Sequence, residues 1–292
     1  MLKVCNVTYS YKKNHTVLRN VSFALPDGIA FLIGENGSGK STLLKVLTSI
    51  LPSEGSVSIN GIDSRSDEYK SMIAYLPQEF DIYPDLKVAD ILRFVALLKN
   101  VDKSNVSLEV RKAAGQVNIE GILDKAYKKC SGGMKRRVGI ATALIGNPQM
   151  VVLDEPTAGI DPRERIAFYK TIRECFAGRN VLISTHILDD IEILADNVVM
   201  LARGEVTYSG SYAEFRDSLN GRLFQIAAEA GDPPIDLSGC RVLSAEKQGA
   251  TVYYRVVGDA DMMPVDAIPV QPSTEDIWLY YQGGADNVGQ AG

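Results

Sequence analysis

Apolar and polar positions alternate near the start of the chain. Val7, Tyr9 and Tyr11 fall on one side and Thr8 and Ser10 on the other, which predicts a half-buried strand. After Gly28 comes a short unbroken apolar run, Ala30-Phe31-Leu32-Ile33, the pattern of a buried strand, and it ends in the glycine-rich segment Gly34 to Gly39. Lys40 to Ile50 favour helix, with Pro52 as the stop. Ser56 to Ile59 alternate again and close on Asn60-Gly61, a hairpin signal. Between about Leu86 and Leu144 the period becomes helical, and Val88, Ile91, Leu92, Val95 and Leu98 predict one apolar stripe. Buried strands at Met150–Leu153, Val181–Ile183 and Val198–Leu201 then alternate with helices at Ile166–Phe176 and Ile187–Ala195. That alternation predicts a parallel sheet with helices on its faces.

Beyond Phe215 the texture changes. Gly231-Asp232-Pro233-Pro234 reads as a linker, strands at Arg241–Ser244 and Thr251–Val257 flank Gln248-Gly249, and a capped helix begins at Ser273 with Asp276 three residues on. The residues from Gly283 to Gly292 are glycine-rich and expected to fray. A chain of 292 residues has room for about two units, placed at 1–215, with a helical subdomain near 86–145, and at 216–292. Neither an internal repeat nor a long heptad array is visible.

Composition narrows the class. Hydrophobic residues are 46% and charged residues 23%, the ordinary globular balance, and the net charge of −5 lacks the basic footprint of a nucleic-acid binder. No apolar run approaches the roughly 20 residues that span a bilayer, and no secretory leader opens the chain, so a soluble cytoplasmic protein is expected. Cys5, Cys130, Cys175 and Cys240 are dispersed and only His15 and His186 are present, which argues against zinc and against a disulfide framework.

The chemistry concentrates in two places. Gly34-Glu35-Asn36-Gly37-Ser38-Gly39-Lys40-Ser41-Thr42 fits G-x-x-x-x-G-K-[ST], a pattern that chance gives on the order of once in a hundred such chains. Phosphates need converging backbone N–H groups, which a tight glycine-rich turn supplies, and the positive end of the following helix adds to them. Lys40 would reach the β- and γ-phosphates and Ser41 would ligate magnesium. The second place is Val151-Val152-Leu153-Asp154-Glu155, an acidic pair leaving a buried strand. Asp154 would hold magnesium through its shell and Glu155 would polarise an attacking water. A third element, Ser131-Gly132-Gly133, opens a helical stretch whose N-terminus also suits phosphate, although most such turns are plain loops.

In chain order (the phosphate loop, Ser131-Gly132-Gly133, Asp154-Glu155, then His186) the motifs resemble the ATP-binding subunit of an ABC transporter, over about residues 1–215. The resemblance implies a P-loop NTPase core: an α/β fold with a parallel sheet, an antiparallel β subdomain, a helical subdomain and a small α+β C-terminal appendage. It implies ATP and Mg as cofactors and Ser131-Gly132-Gly133 as the signature that meets a partner's ATP. It places Tyr11 on adenine, Gln78 at the glutamine loop with a share in the metal shell, Asp161 at the aspartate loop and His186 at the γ-phosphate. Each has a plainer reading as well: Tyr11 as a strand aromatic, Gln78 as a loop residue, Asp161 as a cap before Pro162, His186 as a helix-start residue. The implied partners are a second ATP-binding subunit, paired head to tail as a homodimer, and separate membrane permease subunits contacting Gln78 to Phe80, with no nucleic acid. The implied place is the cytoplasmic face of a membrane, peripherally bound.

Cys130 and Met134 depart from the family's usual leucine and glutamine around the signature. A buried thiol filling a small space is the simpler reading of Cys130, and Lys135-Arg136-Arg137 reads as a solvated or packing face. With Met134-Lys135-Arg136-Arg137 and the Thr274–Trp278 segment, the chain looks like the type-two exporters. Two other functions lack the features they require. A soluble ABC-type ATPase on ribosomes or DNA would bring tandem cassettes or long coiled coils, and a non-hydrolysing sensor would lack Glu155.

Overall fold

In the computed structural model, residues 1–13, 15–80, 84–229, 237 and 240–283 are described. The expected linker at 231–234 and the tail beyond Gly283 lie outside them. The chain divides into two compact units, Met1–Ser209 and Gly210–Gly292.

Strand β1 (Leu2–Lys12) pairs antiparallel with β2 (His15–Leu25), Leu2 opposite Leu25 and Lys12 opposite His15. All five residues of β3 (Ile29–Ile33) are buried, as its unbroken apolar run predicts. Helix α1 (Lys40–Leu47) ends earlier than expected. Ser49 turns left-handed at φ 59°, and the N–H groups of Ser49, Ile50 and Leu51 fold back onto the carbonyls of Val46 and Lys45, so Pro52 is not the stop. Strands β4 (Glu54–Ile59) and β5 (Ile62–Asp63) are joined by Asn60-Gly61, both at positive φ as the two-residue hairpin requires. With β1 and β2 they form a four-stranded sheet in the order β2-β1-β4-β5.

Helix α2 (Asp67–Met72), capped by Ser66, and β6 (Ile73–Leu76) were not legible in the sequence. Six and four residues are too few to show a period. Helices α3 (Val88–Leu98), α4 (Val106–Gln116) and α5 (Gly132–Leu144) fill the expected helical region. The stripe on α3 needs one correction: Ala96 is buried at its end, whereas Leu98 is 65% exposed.

Strand β7 (Met150–Asp154), helix α6 (Pro162–Cys175), β8 (Asn180–Thr185), α7 (Asp189–Leu194) and β9 (Asn197–Ala202) follow, near the predicted bounds. With β10 (Glu205–Ser211) and β6 they make a six-stranded sheet ordered β10-β9-β3-β8-β7-β6. The pairs β3/β8, β3/β9, β7/β8 and β6/β7 are parallel. Leu32, Leu44, Val152 and Leu182 share one core with Leu2, Val4 and Val21 of the antiparallel sheet. Register then places the chemistry. Ile33 lies opposite Thr185, and Asp154 opposite Ser184, so β3, β7 and β8 end flush. Gly34, Glu155 and His186 therefore emerge side by side at the carboxyl edge, where open α/β sheets bind ligands.

In the second unit, α8 (Tyr212–Asp217) precedes an antiparallel sheet of β11 (Leu223–Glu229), β12 (Arg241–Gln248), β13 (Thr251–Val257) and β14 (Ile268–Pro269), ordered β12-β13-β11-β14. Phe224, Ile226 and Val256 form its small core. Helix α9 (Thr274–Gln282) starts at the predicted cap, with Ser273 and Asp276 closing a capping box.

Candidate functional site

Gly34 leaves β3 where a Cβ would lie 2.2 Å from the Leu201 carbonyl oxygen, a backbone approach only glycine allows. Gly39, at φ 106°, caps α1 and turns the first N–H groups of that helix back toward the loop. A Cβ on Gly37 would have no atom within 4 Å, so this part of the loop borders open space. Lys40 is buried, its Nζ donating to the carbonyls of Gly34 at 2.6 Å and Glu35 at 3.0 Å. Burial pushes its pKa down, and the charges of Glu155, Asp154 and Glu35 oppose that shift. Nearby, the buried hydroxyl of Ser38 has no hydrogen-bond partner, an omission native interiors rarely tolerate. An anion entering this loop would meet a cation, a free hydroxyl and a helix N-terminus together.

The acidic pair is held from β8 and β6. Ser184 Oγ donates to Asp154 Oδ1 at 2.5 Å and the Tyr75 hydroxyl to Oδ2 at 3.2 Å. Glu155 stands at φ 44°, rare for a residue with a side chain, and its N–H donates to Ser184 Oγ at 2.9 Å. This turn places its carboxylate between two polar groups. Gln78 Nε2 donates to Oε2 at 3.0 Å, and His186 Nδ1 lies 3.2 Å from Oε1. A cleft of about 530 Å³ runs over Asn36, Gly37, Gly39, Lys40, Ser41 and Thr42 to Gln78, Glu155 and His186.

Five expected residues, Ser131, Gly132, Gly133, Asp161 and Tyr11, lie outside that cleft within the single chain. Ser131 caps α5, accepting from the Met134 N–H at 3.4 Å, and Gly132 and Gly133 are exposed with nothing near their Cβ positions. Asp161 is exposed and accepts from the Arg163 N–H at 2.9 Å, capping α6. Tyr11 stands beside α1, 52% exposed, its hydroxyl 3.3 Å from Thr42 Oγ1 and its ring edge-on to Tyr9. Cys130 is buried, with Sγ 3.8 Å from the Ala126 carbonyl, which is the packing reading. The Lys135-Arg136-Arg137 run packs: Lys135 lies over the Tyr127 ring, and both arginines donate to backbone carbonyls.

The donor set fits a hard divalent cation. The exposed hydroxyl of Ser41 faces the cleft, both Asp154 oxygens are held only by hydroxyls, and the Gln78 amide bonds Glu155 through nitrogen, leaving its oxygen. Among the described residues no group of three or more His, Cys, Asp or Glu could hold a metal. A cation here would rest on hydroxyl and amide oxygens together with Asp154.

The ABC transporter family model matches residues 18–158. The linearmycin resistance ATP-binding protein LnrL of Bacillus subtilis is 31% identical over 229 residues, covering 76% of this chain and 72% of that protein. The chain belongs to the ABC transporter ATP-binding family. The cholesterol transporter ABCA5 of Rattus norvegicus is 36% identical over 220 residues, and there the match spans 72% of this chain but 13% of the relative's length. A solved ATP-binding subunit of an ABC transporter superposes with a TM-score of 0.65 at 28% identity, over 75% of this chain and 92% of that one. The family's P-loop NTPase fold and its nucleotide binding follow. No helix among the described residues is long and apolar enough to cross a membrane.

Sequence reasoning about this ABC-type site passed over Ser184, Tyr75 and Thr185, the groups that hold the acidic pair and the His186 segment. The signal for Ser184 and Thr185 was available: two hydroxyls ending an otherwise apolar strand face the ligand edge of such sheets. Tyr75 sits on β6, the strand too short to be read.

Proposed function

We propose that this chain hydrolyses ATP with magnesium, in a head-to-tail pair with a second ATP-binding subunit, to drive export through membrane permease subunits. The observation that carries this reading is the Glu155 carboxylate, held between Gln78 and His186 at the mouth of the phosphate loop. Lys40, released from the Gly34 and Glu35 carbonyls, meets the β- and γ-phosphates, and the loop's N–H groups surround them. Ser41, Asp154 and Gln78 would hold a magnesium ion, which would neutralise phosphate charge. Glu155 orients the attacking water and takes its proton, while His186 hydrogen-bonds the γ-phosphate oxygens.

Ser131, Gly132 and Gly133 are exposed and outside the cleft of their own chain, as they must be to face the ATP of a partner. Tyr11 stacks on adenine and Asp161 lies at the seam between subunits. In this reading the permease subunits contact Gln78 to Phe80 at the cytoplasmic face of the membrane. Export is favoured by the signature and by relatives named for cholesterol transport and linearmycin resistance. The test is Glu155→Gln. It should keep ATP binding, lower turnover by about a hundredfold or more, and trap an ATP-bound dimer visible by light scattering. Wild-type turnover in the variant would remove Glu155 from the role.

A further inference from the structure

The segment that follows Glu155 is gripped from two sides. From α5, the guanidinium of Arg136 donates to the backbone carbonyls of both Pro156 and Ala158. From the other side, buried Thr157 donates its hydroxyl to Asp190 Oδ2 at 3.1 Å, and the same oxygen accepts from the Thr185 hydroxyl at 2.9 Å. Asp190 is fully buried, and Arg165 meets its other oxygen at 3.1 Å. A buried carboxylate is expensive unless paired and hydrogen-bonded, and this one takes no part in the cleft. Its partners are spaced tellingly. Thr157 lies two residues after Glu155, and Thr185 directly precedes His186.

We propose that Arg136, Thr157 and Asp190 are positioning residues that lock the Glu155 and His186 segments to each other and to the helix that begins at Ser131. Arg136 is the only one of the three on α5. Its planar fork spans two carbonyls, so a shift of α5 moves Pro156 and Ala158 with it. Asp190 then carries the shift to Thr185, and the two groups flanking the γ-phosphate move as one body. The proposal rests on the hydrolytic reading above. Packing alone would make the same residues matter for folding, not for the rate of one step.

The experiment uses the full chain and measures magnesium-dependent ATP turnover against ATP concentration, with equilibrium binding of a fluorescent ATP analogue and thermal unfolding alongside. Thr157→Val removes the hydroxyl at nearly constant shape, and Arg136→Met removes the fork while keeping an apolar stem. Each should lower kcat between about ten- and a hundredfold, with KM and analogue affinity within about twofold of wild type. Thr157→Ser should restore most of the loss. Arg136→Lys should not, since an ammonium cannot span both carbonyls. Wild-type kcat in Thr157→Val or Arg136→Met would overturn the proposal, and so would a parallel loss of affinity and melting temperature. If Thr157→Val does not fold, half-buried Arg136 decides alone. A wild-type chain that binds the analogue without turnover defeats the hydrolytic reading and this proposal together, whereas active wild type with unaffected variants defeats only this one.

Discussion

Asp276 in the second unit and Lys40 in the first are both buried and charged, but their surroundings differ in kind. Asp276 accepts from Arg255 Nε and Nη2 at 2.6 and 2.7 Å and from the N–H and hydroxyl of Ser273 at 2.8 and 2.6 Å. Its acceptor capacity is used by its own unit, and it anchors α9 to β13. Lys40 has two carbonyls of its own loop, an unpartnered hydroxyl nearby at Ser38 and open space beyond Gly37. A finished network serves the fold, and an unfinished one waits for a ligand.

The contrast breaks or holds on reciprocal substitutions. Lys40→Ala should weaken ATP binding by at least about 3 kcal/mol, since a cation bonded to phosphate is lost. Its melting temperature should not fall, because a desolvated charge is removed with it. Calorimetry with ATP and a thermal melt check both, and a drop in stability as large as the drop in affinity would make Lys40 a structural residue. Asp276→Ala should do the opposite, destabilising the second unit by about 3 kcal/mol in urea unfolding while leaving ATP affinity alone. That lies at the low end for a broken buried pair, since the Arg255 side chain is 30% exposed and can turn to water.

The same contrast explains what could be read beforehand. The phosphate loop, Asp154-Glu155 and the Ser273 cap are local patterns whose chemistry follows from spacing, and the structure forms the loop and the cap as expected. The fully apolar runs at 30–33 and 150–153 announced the parallel strands β3 and β7. What stayed hidden was non-local. Tyr75 reaches Asp154, and Asp190 joins Thr157 to Thr185, through contacts that no period or motif encodes. Leu98 misled because a period of 3.6 carries the buried face onto Ala96 within three turns. Asp161 shows a third case: its capping bond is plain in the structure, and a cap leaves its second oxygen for another role.

Tyr11 sharpens the comparison at the edge of the unfinished region. Its ring is held by Tyr9 on one side, and half of it is open. Tyr11→Ala should weaken ATP by about 1–2 kcal/mol, the size of an aromatic–base stack. GTP should compete appreciably, since stacking reads the base edge loosely. Equal affinities for wild type and variant would return Tyr11 to an ordinary strand aromatic.

Lys99 lies between the two extremes and should show the smallest effect. Its Nζ donates to the Ile145 carbonyl at 2.7 Å just past α5, with Glu109 as the opposing charge. Burial lowers its pKa from 10.5 to about 8. The sign follows from proton counting: between those values the unfolded chain binds the proton that the folded one has released, so stability rises with pH. The penalty for a charged Lys99 is complete below about pH 8 and lifts as pH approaches 10.5. Wild type should therefore gain about 2–4 °C in melting temperature relative to Lys99→Gln between pH 8 and 10, equivalent to about 1 kcal/mol. Tyrosines and cysteines titrate in both proteins over that range, and the difference between the two curves removes them. Parallel curves would mean that the single carbonyl and Glu109 already satisfy Lys99, placing it with Asp276 among the finished groups.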